Sequence, residues 1–233
     1  MTIEFQEFPK IPRYRREVAL TEKLDGTNAA VVWANNDIDP GDNVLAERRL
    51  VDQHGTDLGL YWLLAQSRQR FITPARIKPK NDNYGFATWV DAHVDELMKL
   101  GPGVHYGEWW GYGIQRGYGM AEKHFSLFNV NRWGEGKQER PACCDVVPLL
   151  GYFGPDQIGT QVERLRGLGS VAAPGYMKAE GVVVWHSQSK QYYKILLEGD
   201  DVPKSLWAAA AAKPMVDVVR NNQGDVIDGM HQA

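Results

Sequence analysis

The run Glu22-Lys23-Leu24-Asp25-Gly26-Thr27-Asn28 ends one predicted strand and begins another. Residues 17–24 (EVALTEKL) are apolar enough to form a short strand, and residues 29–33 (AAVVW) form a second. Asp25-Gly26 between them is a turn signal, so Lys23 is expected at a strand end, beside a hairpin turn. A tight turn lets backbone and small side chains approach a ligand, and Thr27 and Asn28 offer polar groups there.

Outward from this run the pattern alternates between sheet and helix. The apolar run at 57–68 (DLGLYWLLAQSR) predicts a helix with Leu60, Trp62, Leu63 and Leu64 on its buried side. A polar stretch broken by Pro74 and Pro79 predicts a long loop. Phe86, Val90, Val94 and Leu97 recur at helical spacing over 86–100, and Gly101-Pro102-Gly103 stops that helix. Strands are expected at 104–109, 125–130 and 146–152. The glycine-rich segment 111–119 between the first two reads as a loop. A helix is expected over 156–168. Residues 180–185 (EGVVVW) and 191–197 (QYYKILL) pair as a hairpin across His186-Ser187-Gln188-Ser189. The chain past Val202 predicts a short alanine-rich helix and a polar tail.

Composition bounds the function. The 233 residues are 43% hydrophobic and 11% aromatic, enough for one substantial core and unlike a disordered chain. The 24 Gly and 12 Pro fit a turn-rich, mixed or mainly β fold. No apolar run approaches the roughly 20 residues that a membrane helix needs. The N-terminus has charge but no apolar stretch after it, so it does not read as a signal peptide. The adjacent pair Cys143-Cys144 offers neither zinc spacing nor a relaxed disulfide, which suits a reducing, cytoplasmic setting. A net charge of −3 argues against a protein that coats nucleic acid but leaves room for a local basic groove. Two basic clusters stand out, Lys10 to Arg16 and Arg68 to Lys80. The second interleaves Phe71 and is followed by Tyr84 and Phe86.

Three charged residues far from Lys23 bear on its chemistry. Glu108 lies between a strand and the glycine-rich loop, Glu180 opens an apolar strand, and Lys194 sits in a segment that reads as buried. A carboxylate or ammonium in such places needs a partner, a metal or a bound anion. A lysine is protonated near neutrality, with a free pKa of about 10.4. Burial and adjacent cations can expose its lone pair for attack on the α-phosphorus of a nucleoside triphosphate.

In order, EKLDGTN at 22–28, Gln66-Ser67-Arg68, YGEWWG at 106–111, FSLFNV at 125–130, AEGVVV at 179–184 and YYKILL at 192–197 resemble the motifs of the covalent nucleotidyltransferases. That superfamily comprises ATP-dependent DNA and RNA ligases and mRNA capping enzymes. The wording resembles the RNA-ligase branch most. The resemblance implies an α+β fold, the nucleotidyltransferase (ATP-grasp-like) arrangement of antiparallel sheets flanked by helices, with a nucleotide pocket between the sheets. It implies that residues 1–200 form the adenylyltransferase domain. Residues 201–233 would be a short helix and tail, without a separate OB-fold or large helical domain.

By the same resemblance Lys23 is the adenylated nucleophile, Lys194 contacts the α-phosphate, and Arg68 contacts the nucleotide phosphate or sugar and helps to orient the terminal phosphate of the strand being joined. Glu108 binds the ribose, Phe128 stacks on adenine (Phe125 being the other candidate), and Glu180 helps to bind Mg²⁺ or Mn²⁺. Glu22 holds the adenine edge and Asn28 the phosphates. The last motif departs from the pattern of two lysines one residue apart, because Tyr192 stands at the first position and Lys190 is the nearby substitute. The implied reaction is ATP-dependent joining of a 5′-phosphate to a 3′-hydroxyl of RNA through lysyl-AMP, by a monomer with no membrane partner. The same chemistry on DNA nicks, and a non-catalytic nucleotide- or nucleic-acid-binding domain, are the alternatives.

Overall fold

The computed structural model describes residues 4–35, 41–52 and 54–200, and its compact unit runs to Leu197. The tail helix expected past Val202 lies outside the described residues. Strand β1 is Val18–Lys23 and β2 is Thr27–Asn35, close to expectation. They do not pair. Strand β1 belongs to a four-stranded sheet and β2 to a seven-stranded one, so Leu24-Asp25-Gly26 is a crossing between sheets, not a hairpin turn. Gly26 is required by closeness: a Cβ there would lie 2.3 Å from the Trp109 carbonyl oxygen and 2.7 Å from Trp110 Cβ.

Strands β3 (Ala46–Val51) and β4 (Asp57–Ser67) follow, then the two-residue β5 (Phe71–Ile72). The helix expected over 57–68 is therefore the eleven-residue strand β4. It lies inside the sheet, between β2 and β3, with Leu63, Leu64 and Ala65 all buried. An interior strand covered on both faces loses its alternation and reads like a buried helix.

The helix expected over 86–100 exists in pieces: α1 (Phe86–Ala92), α2 (Val94–Leu97) and a 3-10 turn at Met98–Leu100. His93 leaves helical geometry at φ −116° and breaks the run. Phe86, Val90, Leu97 and Leu100 still bury one face against the larger sheet, and the Trp33 indole donates to the Leu97 carbonyl at 2.9 Å. Gly101, at φ 72°, ends the segment.

Strand β6 is Gly103–Gly111 and β7 is Lys123–Leu127. The strand expected to reach residue 130 stops early. Asn129 accepts from the Arg132 backbone N–H and caps a one-turn helix, α3 (Val130–Trp133). The strand expected over 146–152 is split at Pro148 into β8 (Asp145–Val146) and β9 (Leu149–Phe153), which join different sheets. Helix α4 is Ile158–Leu168, and β10 (Gly181–His186) with β11 (Gln191–Leu196) forms the expected hairpin.

The small sheet has the order β11-β10-β1-β9 and packs Val18, Leu20, Val182 and Val184 against Val162 and Leu165 of α4. The large sheet runs β3-β4-β2-β6-β7-β8, with β5 beside β4, and packs on α1 and α2. The arrangement is the expected α+β class. The chain crosses between the sheets at Leu24 to Gly26 and at Val147-Pro148. A third core of Leu24, Trp110, Tyr118, Val130, Val147 and Ala173 packs where these crossings meet. Each sheet turns its other face toward a shared cleft.

Candidate active site

The cleft holds about 630 Å³ and is lined by residues of β1, β2, β6, β10 and β11, with Phe128 and Asn129. Lys23 stands in it at the end of β1, with its Nζ donating to Glu180 Oε2 at 2.6 Å. Glu180 is 3% exposed and Lys23 24%, so the carboxylate is buried while the amine faces the cleft. Glu108 reaches the same corner from β6, where its Oε1 accepts from the Gly26 backbone N–H at 3.0 Å. Burial pushes the Glu108 carboxyl up to about 7, although the Lys23 charge and the Gly26 N–H pull the other way. Register pairs Asn28 with Glu108 across β2 and β6, which puts Asn28 in the same row.

Glu22 is buried beside Lys23. Its Oε2 accepts from the Val171 and Ala172 backbone N–H groups at 2.8 and 3.0 Å. Its Oε1 is buried without a hydrogen-bond partner among the described residues. A buried acceptor left open at a cleft wall calls for a donor from a ligand.

Part of the cleft lining is apolar. Phe128, in the gap between β7 and α3, and Val183, on β10, both line it. A ring and a branched side chain lining one cleft can hold a flat heterocycle in a slot between them. Phe125, the other aromatic candidate, is 1% exposed and packs on Phe86 and Trp89 in the core of the large sheet.

The cations of the last strand fall differently. Thr21, Val183 and Lys194 share one row across β1, β10 and β11, so Lys194 is on the cleft face, though exposed on an edge strand rather than buried as its sequence context suggests. That row lies two residues from the row of Lys23, Gly181 and Leu196, about 7 Å along the strands and two strand spacings, about 10 Å, across. Two extended lysine side chains can meet at one phosphate over that separation. Lys190 is in the hairpin turn at φ 53°, beyond the His186–Gln191 pair. Five residues of strand, about 17 Å, separate Leu196 from Gln191, so Lys190 is not a neighbour of Lys23. Tyr192 itself lines the cleft and packs on Trp185, with ring centroids 4.4 Å apart. Arg68 follows the last residue of β4 and lines a second cleft, which Thr27 borders.

Several residues of the site carry no assignment from sequence. Asp25 is buried, its carboxylate accepts from Arg116 Nε at 2.9 Å, and its backbone N–H donates to the Tyr118 hydroxyl at 2.8 Å. Arg116 also donates to the Lys178 carbonyl at 3.0 Å, tying the turn after Lys23 to the segment before Glu180. Burial pushes the Tyr118 phenol up, so it stays a neutral acceptor. The signal for Arg116 was a lone cation in a glycine loop. Val183 had a clearer one, as the middle of three valines whose neighbours Val182 and Val184 must face the opposite way. His105 also lines the cleft, and burial pulls its imidazole down to about 4 while a ring nitrogen sits 2.9 Å from the Gly101 carbonyl.

Among the described residues no group of three His, Cys, Asp or Glu side chains could by itself hold a metal ion. A hard divalent cation that arrives with a triphosphate needs only one or two protein carboxylates, keeping phosphate oxygens and water as its other ligands. Glu180, buried and facing Lys23, fits that demand. Cys143 and Cys144 are both free, with sulfurs 4.0 Å apart. No helix among the described residues is long and apolar enough to cross a membrane.

Residues 16–196 match the family model described as RNA ligase. No curated protein matches the sequence. Among solved structures the chain is similar to a Naegleria gruberi RNA ligase variant with ATP and Mn, at TM-score 0.50 and 15% identity over 79% of this chain and 50% of that one. It is similar to a variant with AMP and Mn at TM-score 0.50 and 15% identity, over 78% and 50% of the two chains. The Naegleria gruberi RNA ligase with PPi gives TM-score 0.50 and 16% identity, over 79% and 50%. At such identities the likeness is one of fold. The chain spans about half the length of these solved relatives.

Proposed function

The chain belongs to the RNA ligase family, and from that premise we propose that it is an ATP-dependent RNA ligase that joins a 5′-phosphate to a 3′-hydroxyl through a lysyl-AMP intermediate. The observation that carries this reading is the Lys23 amine, in a cleft between two sheets and 2.6 Å from the buried Glu180 carboxylate. Lys23 Nζ, once deprotonated, attacks the α-phosphorus of ATP. The Nζ–P bond forms, the bond from phosphorus to the bridging oxygen breaks, and pyrophosphate leaves. Lys194 approaches the α-phosphate from the edge strand and offsets charge that grows in the transition state.

Adenine lies in the slot between Phe128 and Val183, and the free Glu22 Oε1 accepts from its exocyclic amine. Glu108 meets the ribose, and Asn28 the phosphates. A divalent cation held by Glu180 would neutralise phosphate charge and orient the leaving group. Arg116 and Asp25 hold Lys23 and Glu180 in mutual register. In the later steps AMP passes to the 5′-phosphate, and the 3′-hydroxyl of the second end attacks that phosphate and releases AMP. Arg68 orients the terminal phosphate.

The test is incubation with ATP labelled at the α-phosphate, with Mg²⁺ or Mn²⁺. Acid-labile label on the protein, absent from Lys23→Ala, is the expected result. A folded parent protein that never takes label sinks the proposal. GTP should label poorly, because its O6 acceptor faces the Glu22 carboxylate where adenine presents a donor. Glu22→Gln, which offers a donor in that place, should shift the ATP-to-GTP labelling ratio toward GTP about tenfold. Nicked and single-stranded RNA and DNA acceptors then separate RNA joining from DNA joining.

A further inference from the structure

Beside the proposed nucleotide cleft, past Thr27, lies a second one of about 800 Å³, formed by the end of β4, the turn that follows it and the segment 80–85. Arg68, Arg70 and Lys80 line it, all exposed and none in an ion pair among the described residues. In a chain of net charge −3, three unpaired cations around one depression are a local excess. The nearby Arg76 is committed to Asp91 at 2.6 Å.

Asp82, the one acidic residue on the cleft wall among the described residues, is occupied. Its carboxylate accepts from the Ala75 and Thr88 backbone N–H groups and from the Thr88 hydroxyl. It acts as the brace of the loop.

The rim formed by residues 80–85 is held in an unusual conformation. Lys80, Asn83 and Tyr84 have φ of 67°, 47° and 57°, in the left-handed region that side-chain-bearing residues seldom adopt. This backbone is tied down at several points. The Tyr84 carbonyl accepts from the Trp109 indole at 3.2 Å and from Lys123 Nζ at 2.6 Å, and the Asn83 side chain meets the Thr27 hydroxyl at 3.0 Å. Tyr84 lines the cleft and is 54% exposed. Cations lining the cleft and an exposed aromatic on a braced rim are the two elements of a site for a single strand, phosphates on the cations and a base stacked on the ring.

We propose that this second cleft binds a single-stranded run of the polynucleotide to be joined, with Arg70 and Lys80 on its phosphates and Tyr84 under a base, and that Arg68 stands where this track enters the nucleotide cleft. The proposal rests on the ligase reading for its substrate, but its geometry does not involve Lys23. The occupant is unpaired because a ring under a base requires an exposed base face, which a duplex keeps stacked.

The test is binding of a 3′-fluorescein-labelled 12-nucleotide single-stranded RNA to the full chain, without ATP, by anisotropy across a salt series. The double variant Arg70→Ala/Lys80→Ala should bind at least tenfold more weakly. Its slope of log K against log salt should be shallower by about 1.4, the loss of two single-strand phosphate contacts. Tyr84→Ala should weaken binding roughly tenfold with the slope unchanged. Arg70→Lys/Lys80→Arg should restore both affinity and slope, which excludes a folding defect. Unchanged affinity and slope in the double variant overturn the proposal, as does an equal loss on a blunt 12-base-pair duplex. Lysine adenylation measured on the same variants should equal the parent's. A parent that takes no AMP defeats the ligase reading and leaves the binding result to stand or fall separately.

Discussion

At Glu108, burial pulls one way and the Lys23 charge and Gly26 N–H pull the other, and burial wins. The carboxyl ordinarily titrates near 4.5 and is pushed up to about 7 in the folded chain. A raised carboxyl stabilises the fold below its unfolded pKa, and that contribution is lost as pH rises through the folded value. Glu108→Gln keeps an oxygen for the Gly26 N–H and removes the ionisation. Its unfolding free energy should match the parent's at pH 4.5 and exceed it by up to about 3 kcal/mol at pH 8. Urea titrations at several pH values check this, and parallel curves from pH 4.5 to 8 would refute it. Glu108 stood out as a candidate by its motif. Its proton affinity was not, because that depends on Lys23, Asp25 and Glu180, which only folding brings near. Lys190 teaches the converse. It stands four residues before Lys194 in the chain, yet the hairpin carries it to the far end of the strands. Nearness in sequence is a poor guide where a strand advances about 3.3 Å per residue.

Among the elements, the crossing from β1 to β2 decides whether a cleft exists at all. Read locally, Asp25-Gly26 between two apolar runs is a hairpin turn. The strands find better partners elsewhere: β1 pairs with β9 and β10, β2 with β4 and β6. Gly26 then serves close packing, since backbone of β6 occupies the place of a side chain. Gly26→Ala should cost about 3 kcal/mol of stability by overpacking, and should lower lysine adenylation further than that loss explains, because Lys23 would shift. Chemical denaturation together with labelling at a temperature where the variant is fully folded checks both parts. Strand β4 was the largest misreading of an element. Its Leu63 and Ala65 face α1 and α2, while Leu64 faces the other way, so the run has apolar residues on both sides. Helix α4 and the β10–β11 hairpin were legible, because one face of each meets a core and local pattern suffices.

For the molecule as a whole, the described residues up to Leu197 form one compact unit, and the family match ends at residue 196. We propose that residues 1–200 are the adenylyltransferase domain. A chain ending at Asp200 should fold with an unfolding midpoint close to the parent's and take AMP onto Lys23 at a comparable rate. Loss of lysine labelling in a truncation that melts cooperatively would refute that division. The matched region covers about half of each solved relative's chain. The sequence by itself marked the candidate reacting groups and most of the strands, because motif chemistry and apolar pattern are local. It also carried the order of the motifs, from Lys23 through Glu108 and Glu180 to Lys194. Tertiary structure alone decided that β1 and β2 part into separate sheets, that Glu22 keeps one buried oxygen open, that Arg116 ties Asp25 to Lys178, and that Arg70, Lys80 and Tyr84 surround a common cleft. Each of these depends on which distant backbone fills the space beside a residue, and no local pattern encodes that.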